Sequence, residues 1–160
     1  MEESYIKKIR SLVKDEFIMV NATAIIIVND KNEVLLQKRS DSGLWGLPGG
    51  LLELNENIAL GAIREVKEET NLDIRIKRFI GVFVNPFMRW REHDLAQVFS
   101  FAFLGEVVSG ELKVNDFEST DLQYFNYENL PQIHSMDNIQ VIEAYYNNQF
   151  NLIEGEQYDG

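Results

Sequence analysis

Cysteine is absent from this chain of 160 residues, which excludes disulfides, thiolate zinc sites and cysteine nucleophiles. Histidine occurs only as His93 and His134; with no ligand spacing between them, both read as surface or packing residues. No run of 18 apolar residues exists, so no membrane-spanning helix is expected. The first 17 residues mix charges through every turn and lack the apolar stretch of a secretory leader; a soluble cytoplasmic protein is expected. Basic residues also run short. Of 15 Lys and Arg only Lys113 lies beyond residue 110, against ten acids there. The net charge of −11 argues against nucleic-acid or membrane partners recruited by a basic surface. The sequence contains no G-x-S-x-G elbow, no P-loop and no dinucleotide fingerprint.

What is present is one domain's worth of chain, 45% hydrophobic, enough to bury about 70% of its unfolded surface without staples. Residues 1–17 carry Tyr5, Ile9, Leu12, Val13 and Phe17 at three- and four-residue steps, an amphipathic helix that packs on the domain or on a second subunit of a homodimer. Met19 to Val28 is rich in β-branched residues. It ends at the turn signal Asn29-Asp30-Lys31-Asn32, and Glu33 to Arg39 resumes as a strand, predicting a hairpin. A loop dense in glycine, Ser40 to Leu54, precedes a helix over Ile58 to Thr70. Strands follow over Asp73 to Val84, broken at Asn85-Pro86, over Leu95 to Val108, and over Leu122 to Asn126. A second amphipathic helix covers Asp137 to Asn148. Residues 18–150 thus form a single domain and 151–160 a loose tail. Mixed strands and helices predict an α/β fold with a mixed sheet flanked by helices.

On the helix over Ile58 to Thr70, Ala59, Ala62, Ile63, Val66 and Thr70 form the buried stripe. Glu65, Glu68 and Glu69 form the stripe beside it, at the i, i+3, i+4 spacing that makes side chains neighbours. Like charges at that spacing, in the half where the macrodipole favours cations, work against the helix that carries them. Two readings fit the helix alone. One is a solvated acidic face; the other is a set of oxygen ligands for a hard divalent cation with a phosphate-bearing substrate. Asn57 is placed to cap the helix. Arg64 is placed to pair with Glu56 at its start.

Gly50, five residues, Glu56, seven residues, then Arg64-Glu65-Val66-Lys67-Glu68-Glu69-Thr70-Asn71-Leu72 resembles the box of the Nudix hydrolase (MutT-like) family, G-x5-E-x7-R-E-U-x-E-E-x-G-U with U a bulky aliphatic. The one departure is Asn71 in place of glycine, where a left-handed cap is wanted and asparagine is the usual second choice. Trp45-Gly46-Leu47-Pro48-Gly49-Gly50 is similar to the family's lead-in.

The resemblance implies an α/β/α sandwich and a Mg²⁺- or Mn²⁺-dependent pyrophosphohydrolase. Its substrate would be a small nucleoside diphosphate derivative such as ADP-ribose, a nucleotide sugar or a nucleoside triphosphate, cleaved by activated water. By position it makes Glu65, Glu68, Glu69 and the Gly50 carbonyl metal ligands, and Arg64–Glu56 a structural ion pair. Glu65, Glu68 and Glu53 are the catalytic candidates. Glu118 and Asp121 are candidates for a further acid from a loop before the strand at Tyr124, with ordinary loop solvation the competing reading. Lys38 and Arg39, and Phe87 and Arg89 in the aromatic–arginine segment FVNPFMRWR, are the substrate-binding candidates; strand-end charges and a lid or dimer contact compete. The alternative from another class is a non-catalytic nucleotide-sensing module of the same fold, which the intact carboxylates disfavour. An isoprenoid diphosphate isomerase is disfavoured by the lack of cysteine.

Overall fold

Three consecutive isoleucines set the centre of the fold. Ile25, Ile26 and Ile27 are each 0% exposed, so both faces of the second half of their strand, β1 (Ile18–Ile27), are covered. The structure, a computed structural model, describes residues 4–91, 94–153 and 156–157. His93 lies outside the described residues, as does the side chain of Arg91. β1 runs parallel to β5 (Asp94–Ser109), from Ile18 opposite Ala96 to Ile27 opposite Gly105. β5 pairs antiparallel with the long β4 (Asp73–Arg91). β4 in turn takes β7 (Leu152–Ile153) in parallel, and β7 pairs with β8 (Glu156–Gln157). A second sheet has β2 (Val34–Arg39) between β3 (Trp45–Gly46) and β6 (Ser119–Phe125).

The two sides of the sheet region carry different helices. Ala62 and Val66 of α2 (Ile58–Thr70) pack with Ile25, Ile27 and Leu35. Val141, Ile142 and Ala144 of α3 (Met136–Tyr146) pack with Ala24, Ile26, Leu36 and Ile80. Alternation along β1 therefore feeds both cores, and the result is an α/β/α sandwich around mixed sheet. Among the described residues no helix is long and apolar enough to cross a membrane.

Four local expectations are corrected. The β1–β2 hairpin reduces to a single bridge, Val28 to Val34. Asn29 closes the turn by accepting from the Lys31 and Glu33 N–H groups, after which the strands part into different sheets. Asn85-Pro86 does not end β4; the missing Pro86 N–H falls in a register shift between Asn85 and Met88, where a strand tolerates it. The tail is not loose at 152–153, because Leu152 is buried and β7 pairs with Gly81 and Val82. Finally, α1 (Tyr5–Val13) is shorter than the 17 residues expected. Leu12 and Phe17 are exposed, while Ile6 packs on the cluster of Val20, Ala22, Ala96 and Val98. Arg10 of α1 pairs with Asp94 at 3.0 Å and donates to the Leu95 carbonyl.

Candidate active site

The site is built on the last turns of α2. Asn57 starts the helix, its side chain accepting from the N–H groups of Ala59 and Leu60. Asn71 ends it in the left-handed region at φ 62° and returns its N–H to the Lys67 carbonyl. With Ala62, Val66 and Thr70 turned into the core, Glu69 is 4% exposed, Glu65 half-buried and Glu68 open to solvent.

Two segments close on this face. The first is the loop after Leu47, laid against β1. Ile25 N–H donates to the Pro48 carbonyl and Thr23 N–H to the Gly50 carbonyl, both at 2.9 Å. The approach is so close that a Cβ on Gly49, at φ 140°, would overlap the Thr23 carbonyl, and one on Gly50 would stand 2.6 Å from Glu65 Oε2. Only glycine fits at position 49, whereas a side chain at position 50 would displace the Glu65 carboxylate. Gly49 N–H then donates to Glu69 Oε2 at 2.7 Å.

The second segment is the strand connection before β6. The carbonyls at a helix C-terminus lack intrahelical partners, and here the connection supplies them. Lys113 N–H donates to Thr70 O, Asn115 N–H to Glu69 O, and Asn115 Nδ2 to Lys67 O. Asp116 Oδ1 accepts from the N–H groups of Glu118 and Ser119 and folds the chain back. Glu69, Asp116 and Glu118 are thereby gathered, one carboxylate oxygen of each within 4.8 Å of the others.

Burial pushes the Glu69 carboxyl well above its ordinary value; the Gln37 and Gly49 donors oppose the rise, and Glu65 and Asp116 add to it. Burial likewise raises Glu65 to about 7, with Arg64 opposing and Glu68 and Glu118 reinforcing. Arg64 forks across four carboxylate oxygens. Its Nε and Nη2 hold Glu56 at 2.6 and 2.9 Å. Its Nη1 holds Glu65 at 2.8 Å and Glu68 at 3.0 Å. The Arg64 guanidinium beside Glu56 keeps that carboxyl below the usual range.

The remaining candidates divide. Glu118 joins Glu69, whereas Asp121 does not. β6 begins at Ser119 rather than Leu122, so Asp121 is a strand residue opposite Lys38, with its carboxylate on the Leu122 N–H. Glu53 lies outside the acid cluster; its carboxylate takes the N–H of Tyr5 at 2.8 Å, at the start of α1. Arg39 and Arg89 meet in a small cavity of about 90 Å³ with Asp41, Ser42 and His134, and Arg39 is paired to Asp41. Lys38 and Phe87 do not line it; Phe87 is exposed and rests against the ring of Phe17. His134 is a packing residue against Gly46, and burial together with Arg39 pushes its pKa down to about 4. Sequence reading missed Asp116, which carries no local signal. It also missed Gln37, which directly follows the apolar run Val34-Leu35-Leu36 and shares its burial.

An oxygen-only set of carboxylates, one of them buried, suits a hard divalent cation. A NUDIX domain model matches residues 19–145. The ADP-ribose pyrophosphatase of Methanocaldococcus jannaschii is 34% identical over 148 residues, covering 88% of this chain and 84% of that protein. Among solved structures, an ADP-ribose pyrophosphatase from Streptococcus suis superposes with a TM-score of 0.65 at 22% identity, over 84% of this chain and 96% of its own. A Nudix hydrolase from Nitrosomonas europaea superposes with a TM-score of 0.70 at 22% identity, over 88% and 97%. On the family match and the archaeal relative together, the chain is a Nudix hydrolase, a member of the pyrophosphohydrolase family whose box it carries from Gly50 to Leu72.

Proposed function

We propose that this enzyme hydrolyses the diphosphate linkage of a small nucleoside diphosphate derivative in the presence of Mg²⁺ or Mn²⁺, with ADP-ribose the first substrate to test. The observation that carries the reading is the convergence of Glu69, Asp116 and Glu118 within 4.8 Å. Two acids gathered around a buried third are costly to hold without a cation. Glu69, Glu65, Glu68 and the Gly50 carbonyl would hold the ion, with Asp116 and Glu118 completing the oxygen set. When bound, the cation supplies charge to neutralise the diphosphate and to acidify an attacking water. Arg64 and Glu56 hold the box loop to α2, and Arg64 keeps Glu65 and Glu68 in reach. Arg39 and Arg89 are the groups we assign to the anionic substrate, since they share one cavity. Glu53, tied to α1, is assigned to positioning the box loop rather than to the chemistry. ADP-ribose leads because the archaeal relative is described as an ADP-ribose pyrophosphatase. The reading keeps a cytoplasmic protein without nucleic-acid partners, the latter supported by the charge of −11.

The test is a panel of ADP-ribose, nucleotide sugars and nucleoside triphosphates with purified protein, Mg²⁺ and ¹⁸O-labelled water, products being identified by mass. ADP-ribose should give AMP and ribose 5-phosphate, with one label on one phosphorus. Glu69→Gln should lower kcat at least about 100-fold, since even the outer partners of metal ligands are worth 10- to 100-fold, while circular dichroism stays native. No turnover on the whole panel with either metal would overturn the proposal in favour of a sensing module.

A further inference from the structure

Val34, Leu35 and Leu36 of β2 are each 0% exposed, and the next residue, Gln37, is 4% exposed. A buried amide is costly unless its donors and acceptor are met. Those of Gln37 are met by two other buried polar side chains. Ser119 Oγ, in β6, donates to Gln37 Oε1 at 2.7 Å. Gln37 Nε2 donates to Glu69 Oε1 at 2.8 Å, with a longer contact to the Leu47 carbonyl at 3.4 Å. Ser119 is 6% exposed and Glu69 4%.

This arrangement has a direction. Ionised to hold a cation, Glu69 only accepts, so the amide then turns its NH₂ to Glu69 and its oxygen to the Ser119 hydroxyl. Glu69 Oε2 is met separately by the Gly49 N–H at 2.7 Å. One donor is therefore fixed on each carboxylate oxygen, from β2 and from the glycine loop, and neither is a charge. Each oxygen keeps a lone pair for the side where Asp116 and Glu118 gather. A cation partner such as lysine at position 37 would neutralise Glu69 and compete with a metal ion. A neutral amide orients it and leaves its charge available.

We propose that Gln37 is a positioning residue. It aims the Glu69 carboxylate at the cation site, and Ser119 holds the Gln37 amide in the orientation that does so. The inference rests on the metal-dependent reading above and assigns Gln37 and Ser119 no contact with substrate.

The experiment titrates Mn²⁺ alone into the full-length protein by electron paramagnetic resonance, for wild type, Gln37→Met, Ser119→Ala and Glu69→Gln. kcat and KM for ADP-ribose with Mg²⁺ are then measured on the same preparations. Gln37→Met keeps the side-chain length without the amide. It should weaken Mn²⁺ binding about 10- to 100-fold, the range for outer partners of metal ligands. kcat should fall in the same range and KM change less than about threefold. Ser119→Ala should give a smaller loss of the same kind, about three- to tenfold. Wild-type Mn²⁺ affinity in folded Gln37→Met and Ser119→Ala would overturn the role; if Gln37→Met does not fold, Ser119→Ala decides alone. Glu69→Gln separates the two levels. If wild type binds Mn²⁺, Glu69→Gln abolishes it and Gln37→Met does not, only the positioning role fails. If wild type and Glu69→Gln bind alike, the metal site fails and takes the role with it.

Discussion

Glu65 and Glu69 show what the proposed site costs the fold. Both sit among other acids, Glu68 and Glu118 around Glu65, and Glu65 and Asp116 around Glu69, and both resist ionisation because they are buried. The consequence for Glu65 has a definite sign. Unfolded, it ionises near 4.5; folded, near 7. Between those values the unfolded chain sheds its proton first, so stability falls as pH rises. The full effect is on the order of 3 kcal/mol at about 1.4 kcal/mol per pH unit. His134 acts oppositely: its pKa is lowered to about 4, so it destabilises the fold as pH drops below 6.5. The measurement is therefore a difference. Unfolding free energies of wild type and Glu65→Gln, in chelator, should diverge against wild type by about 2–3 kcal/mol between pH 5 and pH 8; a constant difference would refute the assignment. At this scale the box residues were legible, because Arg64, Glu65, Glu68 and Glu69 lie on one helix whose period is known. Asp116 and Gln37 were not. Each meets Glu69 only through tertiary structure, Asp116 by way of Asn115 on the last carbonyls of α2 and Gln37 from a strand in the other sheet.

Among the elements, α2 was read most closely because its ends are set by their own side chains. Asn57 accepts the first free N–H groups, and Asn71 takes φ 62° and ψ 8°. The left-handed conformation costs a residue with a Cβ roughly 1–2 kcal/mol, which asparagine offsets here by donating Nδ2 to the Glu111 carbonyl at 2.9 Å. Asn71→Ala should therefore lose about 1–2 kcal/mol in urea unfolding, whereas Asn71→Gly, the residue usual in the family's box, should stay within about 0.5 kcal/mol of wild type. Equal losses in the two variants would mean that the Asn71 side-chain hydrogen bond, not its backbone conformation, is what matters. The strands were legible as strands but not in their pairing. Val28 and Val34 face each other across a turn, which is the hairpin signal, yet alternation does not name a partner and β1 takes β5 from across the chain. The break assigned to Pro86 followed a sound local rule, overruled by a register shift that only the partner strand β5 reveals.

For the molecule as a whole, the acids beyond residue 110 are not all solvation. Asp116 and Glu118 reach Glu69, and Asp137 is buried under Ser100 and Asn85. The same stretch of chain ends in a segment whose sequence looked unstructured and whose burial does not. Phe150 and Leu152 belong to the core cluster of Ile26, Leu36 and Ile80. The Arg78 guanidinium lies 3.6 Å over the Phe150 ring. Gly81 admits the β7 backbone so closely that a Cβ there would stand 2.5 Å from the Leu152 carbonyl oxygen. Two apolar residues separated by Asn151 at φ 56° carry no period, so nothing local announced them. Their packing makes β7 a closure of the α3-side core, on the face opposite α2. Leu152→Ala should then cost about 2–5 kcal/mol, as for other buried leucines, lowering the urea midpoint with an unchanged slope. Ile153→Ala, at a neighbouring residue 48% exposed, should cost no more than about 0.5 kcal/mol. If both substitutions are equally mild, β7 does not close the core; if Leu152→Ala alone is severe while the folded fraction turns over substrate at the wild-type rate, stability and chemistry reside on opposite sides of the sheet.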